Sequence, residues 1–287
     1  MNAATNTIGQ LLSMATGELQ GCSDSPVLDA ELLLGHVLGL SRALLRAREG
    51  EPVAATQARR FAQLVTQRAS GAPVAYLTGR RAFWDLELEV GPGVLVPRPE
   101  TELLVEAALA ELRGRTAAVL DLGTGSGAVA LAIAGGSTTA QVTAVEASAT
   151  ALAMARRNAD SSGLAQRVEC LGGEWYLPVE GRRFDLIVSN PPYLAADDPH
   201  LAALAHEPAD ALVAGPSGLE ALEAVVRGAP AHLRPGGLLL VEHGAGQGPA
   251  VRNLCAEAGL GEVRTLADLA GLERVTAARR PVSAPGG

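Results

Sequence analysis

Apolar residues along the first ~75 positions recur at the three- and four-residue steps of a helix face. Ile8, Leu11, Leu12 and Ala15 form one stripe. Ser25-Pro26 reads as an N-cap followed by proline at the first helical position, and Leu28, Leu32, Leu33 and His36 continue from it. Ser41 is placed to cap a short third helix, and a fourth is predicted from Ala54 to Ser70 with Phe61, Leu64, Val65 and Arg68 at helical spacing and Gly71 to end it. The period then changes to two. Leu86, Leu88 and Val90 alternate with Glu87 and Glu89, as in a strand with one solvated face, Gly91-Pro92-Gly93 is a turn, and Val94-Leu95-Val96 is a second short strand.

From Glu100 onward helices and strands alternate. Helices are predicted over Glu102–Leu112, Ala128–Ala134, Ala149–Ala159 and Leu219–Ala229, and apolar strands over Ala117–Asp121, Gln141–Glu146, Arg167–Cys170, Phe184–Ser189 and Leu238–Glu242. Such alternation builds a mainly parallel sheet covered by helices on both faces, whose ligands bind at the C-terminal strand ends near the point where strand order reverses. The predicted organisation is a helical bundle over residues 1–75 that docks a substrate, a β-hairpin linker over 76–97, and an α/β domain over 98–287.

Composition narrows the chemistry. With 48% hydrophobic and 19% charged residues, the 287-residue chain has ample material for a core, and no apolar run approaches the ~20 residues of a membrane span. No basic flank precedes an apolar stretch at the N-terminus, so a cytoplasmic location is expected. A net charge of −8 and scattered arginines argue against a long nucleic acid as direct substrate, since phosphate contacts usually need a basic stripe. Cys22, Cys170 and Cys255 are far apart, and the five histidines make no metal-ligand spacing, so no metal is expected.

Two strand ends carry candidate chemistry. The first is Leu120-Asp121-Leu122-Gly123-Thr124-Gly125-Ser126-Gly127, where glycines let the backbone turn sharply against a ligand. The GxGxG spacing puts Gly127 one position short of the third glycine in a dinucleotide fingerprint. A helix cap or a solvated strand end would explain either nearby acid alone. Together, Asp121 suits an ammonium group and Glu146, at the tip of the next strand, suits both hydroxyls of a ribose. A cofactor with an amino-acid end, a nucleoside end and no pyrophosphate follows: S-adenosylmethionine.

The second is Asn190-Pro191-Pro192-Tyr193, directly after the apolar strand Phe184–Ser189. A rigid strand end explains the prolines, but not the amide and the ring that flank them. An amide or aromatic amine nitrogen is a poor nucleophile because its lone pair is delocalised, a resonance measured by the ~18–20 kcal/mol barrier to amide rotation. Holding its two N–H groups with the Asn190 side-chain oxygen and the Pro191 carbonyl aims the nitrogen at a methyl donor, and both bonds strengthen as positive charge develops. Tyr193 can stack on the planar group. Adenine N6, cytosine N4 and glutamine amides all satisfy this motif.

Several stretches together resemble the release factor glutamine methyltransferase (PrmC/HemK) family. They are Tyr76-Leu77-Thr78-Gly79-Arg80 with Phe83-Trp84, Pro97-Arg98-Pro99-Glu100-Thr101-Glu102, Asp121 to Gly127, Asn190 to Tyr193, Glu207-Pro208, Glu242-His243-Gly244 with Gln247, and Asp268-Leu269-Ala270-Gly271 with Arg274-Val275. The resemblance implies an α/β fold with a Rossmann-like, seven-stranded, mainly parallel sheet. It implies N5-methylation of the glutamine amide in the Gly-Gly-Gln loop of bacterial peptide-chain release factors; a monomer is the default expectation. It also implies that Gly123 to Gly127 and Glu146 hold the cofactor with Trp175 near the adenine, that Phe83 lines the pocket from the linker, and that Asn190 to Tyr193 grip the glutamine, Asn190 being counted among the cofactor contacts as well. Two positions depart from the family pattern: Glu146 stands where Asp is common, and Ala82 where an acid is usual. The rival reading is a DNA or RNA amine methyltransferase that flips a base into the same pocket.

Overall fold

The computed structural model describes residues 6–282. Contacts divide the chain between Arg80 and Arg81 into two compact units.

The N-terminal unit holds α1 (Ile8–Leu19), α2 (Pro26–Leu38), α3 (Arg42–Ala47), α4 (Ala55–Ala69) and α5 (Val74–Thr78). Thr7 and Gln10 form a reciprocal capping box at α1, and the Ser41 hydroxyl caps α3. The core joins Ile8, Leu11, Leu33, Leu34, Leu45, Phe61 and Val65. Its α2 face also buries two acids. Glu31 accepts from Arg42 at 2.6 Å and Arg46 at 2.9 Å, and Asp29 accepts from Arg68 at 2.7 Å. Arg68 therefore joins α4 to α2 by charge; it is not part of an apolar stripe.

The second unit begins with a hairpin of β1 (Arg80–Phe83) and β2 (Leu86–Glu89). This differs from the predicted hairpin, which paired 86–90 with 94–96. Residues 94–96 form no strand, although Val94 and Val96 are buried. Nor is the hairpin a free linker: Phe83 and Leu88 belong to the same apolar cluster as Leu104, Val105 and Leu131.

The remaining elements are α6 (Glu102–Leu112), β3 (Ala117–Leu122), α7 (Ala128–Gly136), β4 (Ala140–Glu146), α8 (Ala149–Ser161), β5 (Val168–Gly172), β6 (Phe184–Ser189), β7 (Leu194–Ala195), β8 (Val213–Gly215), α9 (Glu220–His232), β9 (Leu233–Glu242), α10 (Gly248–Glu257), β10 (Gly261–Ala267) and β11 (Glu273–Arg279). Seven strands form one sheet in the order β10-β11-β9-β6-β3-β4-β5, and β7 pairs with β8 apart from it. All sheet neighbours are parallel except those of β11, which is antiparallel to both β9 and β10. This is the mainly parallel Rossmann-like sheet that the pattern predicts, extended by the β10–β11 pair that period counting does not reveal.

Alternate strand residues face opposite cores. Val119, Val142, Leu186 and Leu240 meet α6 and α7 on one side, whereas Leu120, Ile187, Leu239 and Val241 meet α9 and α10 on the other. The chain runs from β3 outward to β5 and returns to place β6 against the other side of β3. The β3–β6 boundary is thus the switch point at which such sheets bind ligands.

Candidate active site

Register brings the two motifs together. Leu122 pairs with Val145 on one side and Ser189 on the other, and Ser189 pairs with Val241. The residues just beyond these tips, Gly123, Glu146, Asn190 and Glu242, therefore emerge along one edge of the sheet. A cavity of about 430 Å³ opens there, within the usual range for small-molecule sites.

The glycine loop is held by its neighbours. The Gly123 and Thr124 amides donate to the Val145 carbonyl at 2.9 and 3.1 Å. Gly123 has φ +70° and Gly127, the N-cap of α7, has φ +86°, a region that L side chains rarely adopt. A Cβ on Gly127 would also lie 3.1 Å from Leu131 Cδ1 and 3.4 Å from Ala155 Cβ, so this glycine is needed for packing and does not line the cavity. Asn158, almost fully buried on α8, donates from Nδ2 to the Ser126 and Glu89 carbonyls and accepts from the Glu89 amide, tying the hairpin to the loop. Sequence reasoning gave Asn158 no role; an amide buried on an otherwise apolar helix face was the available signal.

Asp121, Gly123, Thr124, Gly125, Ser126, Glu146, Trp175, Asn190 and Pro192 all line the cavity. Asp121 Oδ2 accepts from the Thr124 hydroxyl at 2.6 Å and from the Ala130 amide at 3.2 Å. Burial pushes this carboxyl up to about 7, against those two hydrogen bonds, and the nearby Glu146 charge adds to the rise. Glu146 Oε2 accepts from the Gly125 amide and Oε1 from the Ser148 amide, each at 2.8 Å, so its longer arm also fixes the loop. Trp175 sits in the left-handed region at φ +47°, a strain of roughly 1–3 kcal/mol that tends to cluster at functional sites.

Four predicted site residues are placed elsewhere. Phe83 is 2% exposed inside the core and does not reach the cavity, because the hairpin turns its ring toward α6 and α7. Gly127 and the buried Pro191 are absent from the lining. The Tyr193 ring packs against the apolar cluster on the α9–α10 side, and its carbonyl accepts from Gln247 Nε2 at 3.0 Å. Stacking of Tyr193 on a substrate in the cavity is not what this packing provides.

Arg98 and Thr101 also line the cavity. Arg98 pairs with Glu207 at 2.5 Å, and Glu207 also accepts from the Val96 amide at 3.0 Å. Glu100 is exposed. Thr101 receives the Asn190 amide, Nδ2 to Oγ1, at 3.0 Å. His243 is buried and bonded to Thr276 and the Gly244 carbonyl, and burial holds its pKa below the usual histidine value.

Known proteins give this geometry a context. The sequence matches the family described as PrmC N-terminal domain over residues 10–79 and the Methyltransferase small domain over residues 99–248. It is 52% identical over 256 residues to the release factor glutamine methyltransferase of Xylella fastidiosa (strain Temecula1), covering 88% of this chain and 93% of that protein. The enzyme of the same name from Pseudomonas aeruginosa is 48% identical, covering 88% and 92%. The chain belongs to the release factor glutamine methyltransferase family. Among solved structures, the T. thermophilus 16S rRNA N2 G1207 methyltransferase, in complex with AdoMet and guanosine, aligns with a TM-score of 0.53 at 25% identity, covering 70% of this chain and 49% of that one. The family is one of methyltransferases, and among the described residues no helix is long and apolar enough to cross a membrane.

Proposed function

We propose that this protein methylates the N5 side-chain amide of the glutamine in the Gly-Gly-Gln loop of a bacterial peptide-chain release factor, with S-adenosylmethionine as donor. The observation that carries the reading is the setting of Asn190. Its amide nitrogen is bonded to Thr101, leaving Oδ1 as the end available to the cavity beside the glycine loop.

The cavity residues fit the cofactor. Asp121 is an acid destabilised by burial, which a cationic ammonium group would relieve. Glu146 keeps lone pairs on both oxygens for ribose hydroxyls, and Trp175 offers a flat face across from Gly123. Bound there, the cofactor supplies an electrophilic methyl group. This chain's residues orient and charge-stabilise the acceptor. Asn190 Oδ1 would take an N–H group of the glutamine amide, and that bond tightens as the nitrogen becomes cationic. Tyr193 acts from behind, since Gln247 and the apolar cluster fix the backbone that follows Asn190. The helical unit is assigned to docking the release factor outside its loop.

Incubation with methyl-labelled cofactor and a release factor, its loop Gln→Ala variant, or duplex DNA tests the reading. Label should appear on the first alone. Label on DNA, or on the Gln→Ala variant equally, refutes it.

A further inference from the structure

An asparagine amide has a donor end and an acceptor end of nearly the same shape. Only one orientation can accept hydrogen bonds from a substrate N–H, so something must decide which way Asn190 points. Thr101 alone cannot. Its hydroxyl is both donor and acceptor, and would bond either end of the amide.

The deciding group lies behind them. Glu242 ends β9 beside Asn190, through the Ser189–Val241 pairing, and is 2% exposed with Oε2 lacking any hydrogen-bond partner. Thr101 is also buried, at 4% exposed. We propose that Glu242 is a positioning residue that sets the direction of hydrogen bonding at Thr101 and at the Asn190 amide, and so keeps the Asn190 oxygen turned to the substrate. This rests on the glutamine-methylation reading for its functional consequence, but not for the orientation itself.

As a carboxylate, Glu242 can only accept. The single Thr101 proton then goes to Glu242, the Thr101 lone pairs take Asn190 Nδ2, and Oδ1 is left for the cavity. A protonated Glu242 is a donor. It can give its proton to Thr101, whose own proton then suits Asn190 Oδ1, which turns the amide round and presents N–H groups to a substrate that also offers N–H groups. Burial pushes Glu242 up to about 7. The Thr101 hydroxyl, Arg274 from β11 and the Asn190 side chain pull it down, while Glu100 pushes it up. Tyr193, the other titratable group facing it, is raised by burial and by Glu242 itself and remains a neutral phenol, with Arg98 and Arg274 acting in the opposite sense.

Two measurements test this with wild type, Glu242→Gln, Thr101→Val and Thr101→Ser. Glu242→Gln removes a buried charge and should not unfold the chain. In the first, kcat is measured at saturating cofactor from pH 5.5 to 8.5 with a release factor as substrate. Wild type should lose about tenfold per pH unit on the acid side. Glu242→Gln should be at least about tenfold slower at pH 8 and flat across that limb. Thr101→Val should also be slower, the double variant should be no worse than Glu242→Gln alone, and Thr101→Ser should restore the rate and the limb. At any one pH the affinity for cofactor should be the same in every variant. In the second, the side-chain amide signal of Asn190, identified by its loss in Asn190→Ala, is followed by NMR in the free protein. It should titrate in wild type and not in Glu242→Gln. An Asn190 signal that titrates equally in both, or that does not titrate in wild type, overturns the proposal, as does a Glu242→Gln enzyme with the wild-type rate and profile. If the signal behaves as expected but no release factor is methylated, the substrate reading fails while the orientation relay stands.

Discussion

Replacing Asn190 by alanine removes the acceptor on which the reaction geometry turns, and its size can be worked out in advance. The side chain makes one hydrogen bond backward, to Thr101 at 3.0 Å, and offers its oxygen to the cavity. A hydrogen bond to a neutral amide contributes about 1 kcal/mol net, and one to a charged group about 1.5–3 kcal/mol. The part felt by kcat is the increase as the nitrogen becomes cationic in a largely desolvated site, where losing a comparable preorganised group costs about 10²–10³-fold. Asn190→Ala is therefore expected to lower kcat by that factor. The cofactor should bind within about threefold of wild type, because Asp121, Glu146 and Trp175 are untouched. Thr101 loses a buried partner, so a destabilisation of about 1–3 kcal/mol should accompany the change. Single-turnover transfer of labelled methyl to a release factor, with both ligands saturating, reads the rate, and calorimetry reads cofactor affinity. A rate within threefold of wild type, or a loss fully explained by weaker cofactor binding, refutes the acceptor role.

Three further outcomes can be measured. Asp121 has a folded-state pKa near 7, above the usual carboxylate range, so its contribution to stability is full below about pH 4 and is lost as pH rises through 7; its ionised form is the one that binds an ammonium, so calorimetry should show cofactor affinity rising toward tenfold per unit from pH 5.5 to 7, with the slope gone in Asp121→Asn, and equal affinities at pH 5.5 and 7.5 would contradict the assignment. Phe83→Ala should cost about 3–5 kcal/mol in chemical denaturation yet leave cofactor affinity unchanged in the folded variant, since the ring fills the core and not the cavity; weakened binding at full foldedness would reinstate it as a pocket residue. Deleting residues 1–80 should raise the KM for intact release factor with little change in kcat, and an unaltered KM would remove the docking role from the helical unit.

Much of this could be read from the sequence because the signals were local. The apolar run Phe184–Ser189, the glycines after Asp121 and the capping residues Ser25 and Ser41 each declare their element within a few positions. The β10–β11 pair could not be read that way. Ala277 and Ala278 are small residues with little strand preference, and both faces of β11 are buried, so no alternation marks it. The hairpin was misassigned for a related reason: Val94 and Val96 alternate as a strand would, but they are buried in a segment that forms no strand. In the site, the two motifs were found, and the side chains that hold them from distant parts of the chain were not given roles. Glu242 becomes meaningful only once Val241 is known to lie beside Ser189, and Glu207 only once it is known to bond Val96. Phe83 failed in the opposite sense, because nothing in a sequence says which way a hairpin side chain will face.

The bond from the Val96 amide to Glu207 spans 111 positions of chain, and that from Asn190 to Thr101 spans 89. A ribosome building this protein from its N-terminus therefore makes the glycine turn and its two acids well before the opposite rim exists. Until residue 207 has emerged, the Val96 amide and Arg98 lack their shared carboxylate, and Pro208, Asp210 and Ala211 are missing from the cavity wall. The wall that closes the cavity is thus completed only after the glycine turn and the strand tips, an order imposed by connectivity more than by the strength of any single contact.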